Sequence, residues 1–252
     1  MLARFRATMR IVLWDYRGLY ASAPAADGVS YAMADHADDL NGLLEHLELD
    51  QPVLVGWSMG VQVNFELLRR RPDVARGLVA LHGAYRHPLD TAFNSKLPKG
   101  VPPIAFGGMR RYWRRFAPLM KRAGRSRGVA LRFMRGCQRI GLVSSRCDED
   151  MFYEMARDWV KLDLGIYADI FEHLAGHDAQ DVLSTITIPT LVVAGRKDVL
   201  TPPELSEAMV RRVAQAELLM LPDGTHFGPL EYPDAIAERM ESFLRDRVGL
   251  PC

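Results

Sequence analysis

Two textures alternate along the chain. Short apolar runs recur at Val53 to Val55, Gly77 to Leu81, Thr190 to Ala194 and Glu217 to Leu221. Runs of this length and continuity mark strands buried on both faces. Met9 to Trp14 reads as a further strand, with Asp15 to Gly18 as the loop leaving it. Between the runs, apolar residues return every three or four positions. From about Ser30, Met33, Ala37, Leu40, Leu43, Leu44 and Leu47 share one helical face. Val61, Val63, Phe65, Leu67 and Leu68 carry a second helix, and Pro203 to Val213 a third that starts on proline, as helices prefer. Ile236, Met240, Phe243 and Leu244 line the last. Strands alternating with helices predict an α/β fold, a mostly parallel sheet with helices on both faces.

The stretch from Tyr85 to Thr187 departs from this alternation. Proline and glycine break it between Pro98 and Gly108. Tyr112, Trp113, Phe116, Leu119 and Met120 then form one apolar helical face with arginines opposite. Ala130, Phe133, Met134 and Cys137 mark a second helix, and Met151 to Leu174 predicts more. The pattern is that of a helical cap, residues 85–187, inserted between the two parts of an α/β core, 1–84 and 188–252.

Charge sharpens the contrast. The chain's net charge is +1, yet Thr91 to Cys147 holds 14 Lys and Arg and no Asp or Glu, so the remainder sums to 1 − 14 = −13. The simplest reading of such a stretch is a solvated helix face. Its functional reading is attraction of an anionic substrate, carrier or membrane surface. The acidic remainder and the lack of a reading motif argue against nucleic acid as a partner.

At 252 residues, 48% of them hydrophobic and 25% charged, the chain is long enough for one large core and has an ordinary globular composition. No apolar run approaches the ~20 residues of a membrane span. The apolar stretch after the basic start, Ile11 to Trp14, is too short for a signal peptide. Cys137, Cys147 and Cys252 are odd in number and form no metal motif, which points to a reducing compartment such as the cytoplasm. Nothing in the pattern implies a cofactor or metal, and nothing speaks to oligomeric state.

The candidate chemistry lies at Gly56-Trp57-Ser58-Met59-Gly60, a G-x-S-x-G pattern where a strand turns into a helix. The turn is too tight for flanking side chains, so the glycines give room and the serine hydroxyl is held out at the strand's carboxyl end. The next N–H, that of Met59, points the same way and can bind a developing oxyanion. Here the sequence resembles the α/β-hydrolase family. In that family the nucleophile is followed in chain order by an acid and a histidine. Asp198, in G-R-K-D-V-L-T-P, resembles the family's acid loop. His226, in P-D-G-T-H-F-G-P-L-E-Y-P, resembles its histidine loop, with Glu231 and Pro233 further on. Asp223 is a rival acid but reads better as a turn former, and His82-Gly83 lies on the wrong side of the nucleophile for an oxyanion loop. His36, His46, His87, His173 and His177 read as surface or cap residues. Val61 stands where the family usually has a small residue, and Thr225 where glycine usually precedes the histidine.

The resemblance implies a serine hydrolase of carboxylic esters or related acyl compounds, with a small-molecule acyl substrate. Ser58 would be nucleophile, His226 base and then acid, Asp198 its orienter, Met59 N–H an oxyanion donor, and Trp57 a wall of the acyl pocket. A serine at the elbow argues against the dehalogenase and epoxide hydrolase chemistries, which use Asp there. Acyl transfer and carbon–carbon bond hydrolysis share the same machinery. Asp15, Arg17 and Gly18 resemble the D-x-R-G loop after the family's fourth strand. Only about ten residues precede Ile11, so the family's central third strand and its oxyanion loop have no counterpart. This predicts more strand pattern encoded upstream of Met1. It also raises the alternative of a crippled or non-catalytic hydrolase-fold protein.

Overall fold

In the computed structural model, which describes residues 2–26, 29–92 and 101–250, the four later apolar runs form one sheet. Its strands are β1 (Val53–Trp57), β2 (Gly77–Leu81), β3 (Thr190–Gly195) and β4 (Ala216–Leu221). They lie in that spatial order, and every neighbouring pair is parallel. The helices before β2 are α1 (Leu2–Phe5), α2 (Met33–His46) and α3 (Met59–Arg70). Between β2 and β3 come α4 (Pro88–Thr91), α5 (Val101–Gly124), α6 (Arg127–Arg139), α7 (Glu149–Trp159) and α8 (Leu164–Gly176). α9 (Pro203–Arg212) joins β3 to β4, and α10 (Gly228–Glu231) and α11 (Pro233–Phe243) follow.

Successive side chains of a strand face opposite ways, so each central strand serves two cores. Leu78 and Ala80 of β2 and Val192 of β3 meet Leu40 of α2, Phe65 of α3, Ile170 of α8 and Met209 of α9. Val79, Leu81, Leu191 and Val193 face the other layer, with Ile236 and Phe243 of α11 and Phe5 of α1. β2 and β3 are buried along their whole length, which is why their sequences show no polar alternation.

β1 is an edge. The Ser58 N–H donates to the Leu81 carbonyl at 2.9 Å, so the intervening amides of Val55 and Trp57 point away from β2. Val55 is 48% exposed. The expected strand over Met9 to Trp14 does not cover this side: residues 10–15 form no strand, and no backbone bond joins them to β1 among the described residues. Packing satisfies their apolar character only in part, since Leu13 is exposed. Met9 and Ile11 lie against the α11 layer, and Trp14 against the α2 layer.

The segment between β2 and β3 leaves and returns through a neck. An antiparallel bridge pairs Arg86 with Asp178, the Ala179 N–H donates to the Tyr85 carbonyl at 2.8 Å, and the His87 N–H donates to that of His177 at 2.9 Å. Two expectations for this segment need correction. The Pro-Gly break does not extend past residue 100: α5 is helical from Val101, with Pro102 and Pro103 in its first turn, where a missing N–H costs nothing. The apolar face of α5 is turned outward, with Tyr112, Phe116 and Leu119 exposed, and the helix buries Ala117 and Gly124 instead. In α6, Ala130 and Met134 are buried as expected, but Phe133 faces solvent. Residues 93–100, which include Lys96, Lys99 and Pro98, lie outside the described residues, as do Cys252 and the side chains of Arg110, Trp113 and Arg114.

Candidate functional site

The carboxyl ends of β1, β3 and β4 bring three side chains into a line. Ser58 follows β1 directly, and its backbone sits at φ 54°, a strained region for a residue with a side chain. Gly56 permits this turn, since a Cβ there would lie 2.5 Å from the Gly60 backbone carbon and oxygen. The Ser58 hydroxyl is 2.9 Å from His226 Nε2, to which it can donate. On the far side of the ring, His226 Nδ1–H donates to Asp198 Oδ2 at 3.0 Å. Met59 is the first residue of α3, where a helix's leading N–H groups have no partner within the helix. Trp57 stands beside them, and its Nε1–H donates to the His226 carbonyl at 3.0 Å.

Asp198 is buried and fully engaged. Oδ1 accepts the N–H groups of Leu200 and Thr201, each at 2.9 Å. Oδ2 receives the His226 ring, the Thr201 hydroxyl at 2.8 Å and a second histidine, His82, whose Nδ1 lies 3.3 Å away. Burial alone pushes a carboxyl up, but the hydrogen bonds and positive edges of His226 and His82 outweigh it and hold Asp198 well below the usual carboxylate range. Burial acts on His82 in the opposite sense and pushes its ring down, so it sits here neutral, as an N–H donor.

His82 is the residue that sequence reasoning missed. It follows β2, is 1% exposed, and holds a left-handed backbone at φ 47°. Its Nε2 has no hydrogen-bond partner among the described residues. The available signal was its place after the apolar run that sits between the serine's strand and the acid's strand. His36, expected at the surface, is also fully buried, with its ring 4.9 Å from that of Tyr16. Desolvation and the nearby Arg17 charge lower it to about 4. His177 bridges Glu66 and Gln62 of α3, at 2.7 and 2.8 Å. The rival acid Asp223 is exposed and paired with Lys197 at 2.8 Å, away from this line.

The histidine loop is clamped from below. Glu231 Oε2 accepts the Thr225 N–H at 2.8 Å, and Oε1 accepts the Thr225 hydroxyl at 2.6 Å and the Ser144 N–H at 2.8 Å. Thr225 thus uses its side chain to fasten the loop, an anchor that glycine could not provide. Phe227, next to His226, packs on the small core of Met134, Val143, Cys147 and Phe152, to which α6 contributes Met134 and α7 Phe152. Burial raises the Cys147 thiol to about 12, which makes it inert. Among the described residues no group of His, Cys, Asp and Glu is placed to hold a metal ion, and no helix is long and apolar enough to cross a membrane.

Comparison with known proteins agrees with this architecture. The family model for the alpha/beta hydrolase fold matches residues 4–233. A pimeloyl-[acyl-carrier protein] methyl ester esterase of Neisseria meningitidis is 26% identical over 206 residues, 81% of this chain and 61% of that protein, so the chain spans under two thirds of that relative. A serine hydrolase of Mus musculus is 25% identical over 93% of this chain and 69% of its own length. Among solved structures, a thermophilic esterase from Thermogutta terrifontis superposes with a TM-score of 0.67 and 28% identity, covering 92% of this chain and 78% of that one. A parallel sheet with a serine elbow at its first strand, a match across most of the length and esterases among its relatives lead to one assignment: the chain belongs to the α/β-hydrolase fold family.

Proposed function

We propose that this protein is a serine hydrolase of carboxylic esters or related acyl compounds. The observation that carries the reading is the unbroken line from Ser58 Oγ through both nitrogens of His226 to Asp198 Oδ2, at 2.9 and 3.0 Å. Ser58 Oγ attacks the acyl carbon and His226 Nε2 takes its proton. The carbonyl π electrons move to oxygen, and the Met59 N–H donates to that oxyanion. On collapse the acyl–oxygen bond breaks, and the leaving alcohol carries away the proton from His226. Water then repeats the cycle on the acyl-enzyme and frees the acid. Asp198 keeps Nδ1 protonated, so Nε2 always presents its lone pair to Ser58. Trp57, whose N–H is engaged by His226, offers only its ring to the acyl group. No step calls for a cofactor. The names of the esterase and serine hydrolase relatives support this chemistry and leave the acyl group open.

A fluorophosphonate probe tests the reading. Wild type should label at Ser58, and Ser58→Ala should not. A folded wild type that fails to label would place the chain with the non-catalytic members of its fold. Product analysis over an acyl panel with water and alcohol acceptors separates hydrolysis from acyl transfer.

A further inference from the structure

Two consecutive helices between β2 and β3 turn apolar residues to solvent in the same pattern. On α5, Tyr112, Phe116 and Leu119 recur at helical spacing and are 52%, 51% and 66% exposed. On α6, Val129 and Phe133 do the same, joined by Ile140 just past its end, and the latter two are 65% and 71% exposed. Each stripe is bordered along one side by cations: Arg111, Arg115 and Arg122 on α5, and Arg132, Arg135 and Arg139 on α6. The opposite border is the buried side of each helix, Ala117 with Gly124 and Ala130 with Met134. Arg127 and Arg135 pair with Asp150 and Glu149 of α7. Arg111, Arg115, Lys121, Arg122, Arg132 and Arg139 meet no carboxylate among the described residues.

We infer that the outer faces of α5 and α6 dock on an anionic phospholipid surface, with the apolar stripes at the acyl boundary and the arginines on the phosphates. A polar solvated face has no use for exposed Phe116, Leu119, Phe133 and Ile140, and exposed apolar patches of this kind mark interaction sites. Charge selects the occupant. The segment from Thr91 to Cys147 carries 14 positive charges and no negative ones, so a second copy presenting the same face would be repelled. A nucleic acid would neutralise the arginines but leave Leu119 and Ile140 in water. An anionic bilayer satisfies both halves of the pattern, as interfacial amphipathic helices do. Met134, on the inner face of α6, belongs to the small core against which Phe227 packs, one residue from His226, so a helix lying on lipid would be linked to the candidate site through that core.

Co-sedimentation of the whole protein with vesicles tests this without any assay of hydrolysis. Vesicles of equal parts phosphatidylglycerol and phosphatidylcholine should pellet the protein at low salt, and phosphatidylcholine alone should not. Two variants are compared: Phe116→Ser/Leu119→Ser/Phe133→Ser and Arg111→Glu/Arg115→Glu/Arg122→Glu. Each should weaken binding at least about tenfold, with a melting temperature near that of wild type. The inference is overturned if neither vesicle binds, if both bind equally, or if either variant binds as wild type does. It is also overturned if the serine variant only converts a dimer into a monomer in sedimentation velocity, or if a soluble acidic protein competes the vesicles off.

Discussion

Asp198→Asn isolates the orienting carboxylate, because the two sides of Asp198 carry different loads. Oδ1 accepts two backbone N–H groups, and an asparagine carbonyl placed there keeps both. The amide nitrogen then replaces Oδ2, where His226 Nδ1, His82 Nδ1 and the Thr201 hydroxyl all converge within 3.3 Å. Donors now face donors. His226 can relieve the clash by moving its proton to Nε2, but a protonated Nε2 cannot take the proton of Ser58. The wrong tautomer in a serine protease lowers kcat by ~10⁴, about 5 kcal/mol of barrier. We expect a loss of that order in kcat on a short-chain p-nitrophenyl ester, with KM little changed. Fluorophosphonate labelling should slow in parallel. The melting temperature should fall as well near neutral pH, since the donors around Oδ2 stabilise the ionised Asp198 in the fold, and the amide nitrogen leaves His82 and Thr201 facing a donor. A variant within tenfold of wild type in kcat refutes the argument, because it means that His226 takes its orientation elsewhere.

Three further outcomes follow from the packing. His36 is lowered from 6.5 to about 4, so between those values the unfolded chain binds a proton that the folded chain does not, and stability falls as pH falls. Below about pH 4 the loss approaches roughly 3 kcal/mol; urea titrations should show His36→Phe flattening this slope, and an unchanged slope defeats it. Gly228→Ala would set a Cβ 2.0 Å from His82 Nε2, so the ring must leave Asp198; thermal melts and ester turnover should both drop, and normal values for both would mean that the loop yields freely. Glu231→Gln turns an acceptor into a donor facing an N–H or a hydroxyl, at a cost of about 1–3 kcal/mol; denaturant midpoints measure it, and the loosened His226 loop should lower kcat as well.

Much of the sheet was legible because burial on both faces leaves a local mark, an apolar run of five or six residues ended by a turn. β2, β3 and β4 fall within a residue of the positions read from sequence, and so does the start of α9, while the elbow helix α3 starts two residues before Val61. Met9 to Trp14 has the same local mark and forms no strand, because apolarity selects an extended buried chain while a ladder needs a partner at hydrogen-bonding distance. The stripes of α5 misled in a related way. Periodicity fixes which residues share a face, but the direction of that face depends on what packs beside it: the small Ala117 is buried, and a Cβ on Gly124 would lie 2.5 Å from Val160 Cγ2, so the chain leaving α7 comes closer there than it could to Phe116. The elbow, Asp198 and His226 were readable from short motifs, and the structure draws them together. His82 has no motif of its own, since its contact with Asp198 exists only because β2 lies between β1 and β3. Val61, a departure from the family's small residue, fits because Gly83 leaves room for it: a Cβ on Gly83 would lie 2.4 Å from Val61 Cγ2.

The position of β1 at the rim of the sheet sets a gradient of local stability across the candidate site. Among the described residues the amides of Val55 and Trp57 have no strand beyond them, so they should exchange with deuterium through small fraying motions rather than by global unfolding. The β3 amides are covered by β2 on one side and β4 on the other, and should be among the last to exchange. Asp198 is carried by that slow strand and is tied to the end of β2 through His82. Ser58 is carried by the fast one. Thermal breathing would therefore open the Ser58–His226 contact well before it disturbs His226 and Asp198, and the nucleophile would be the first member of the line to lose its alignment on warming.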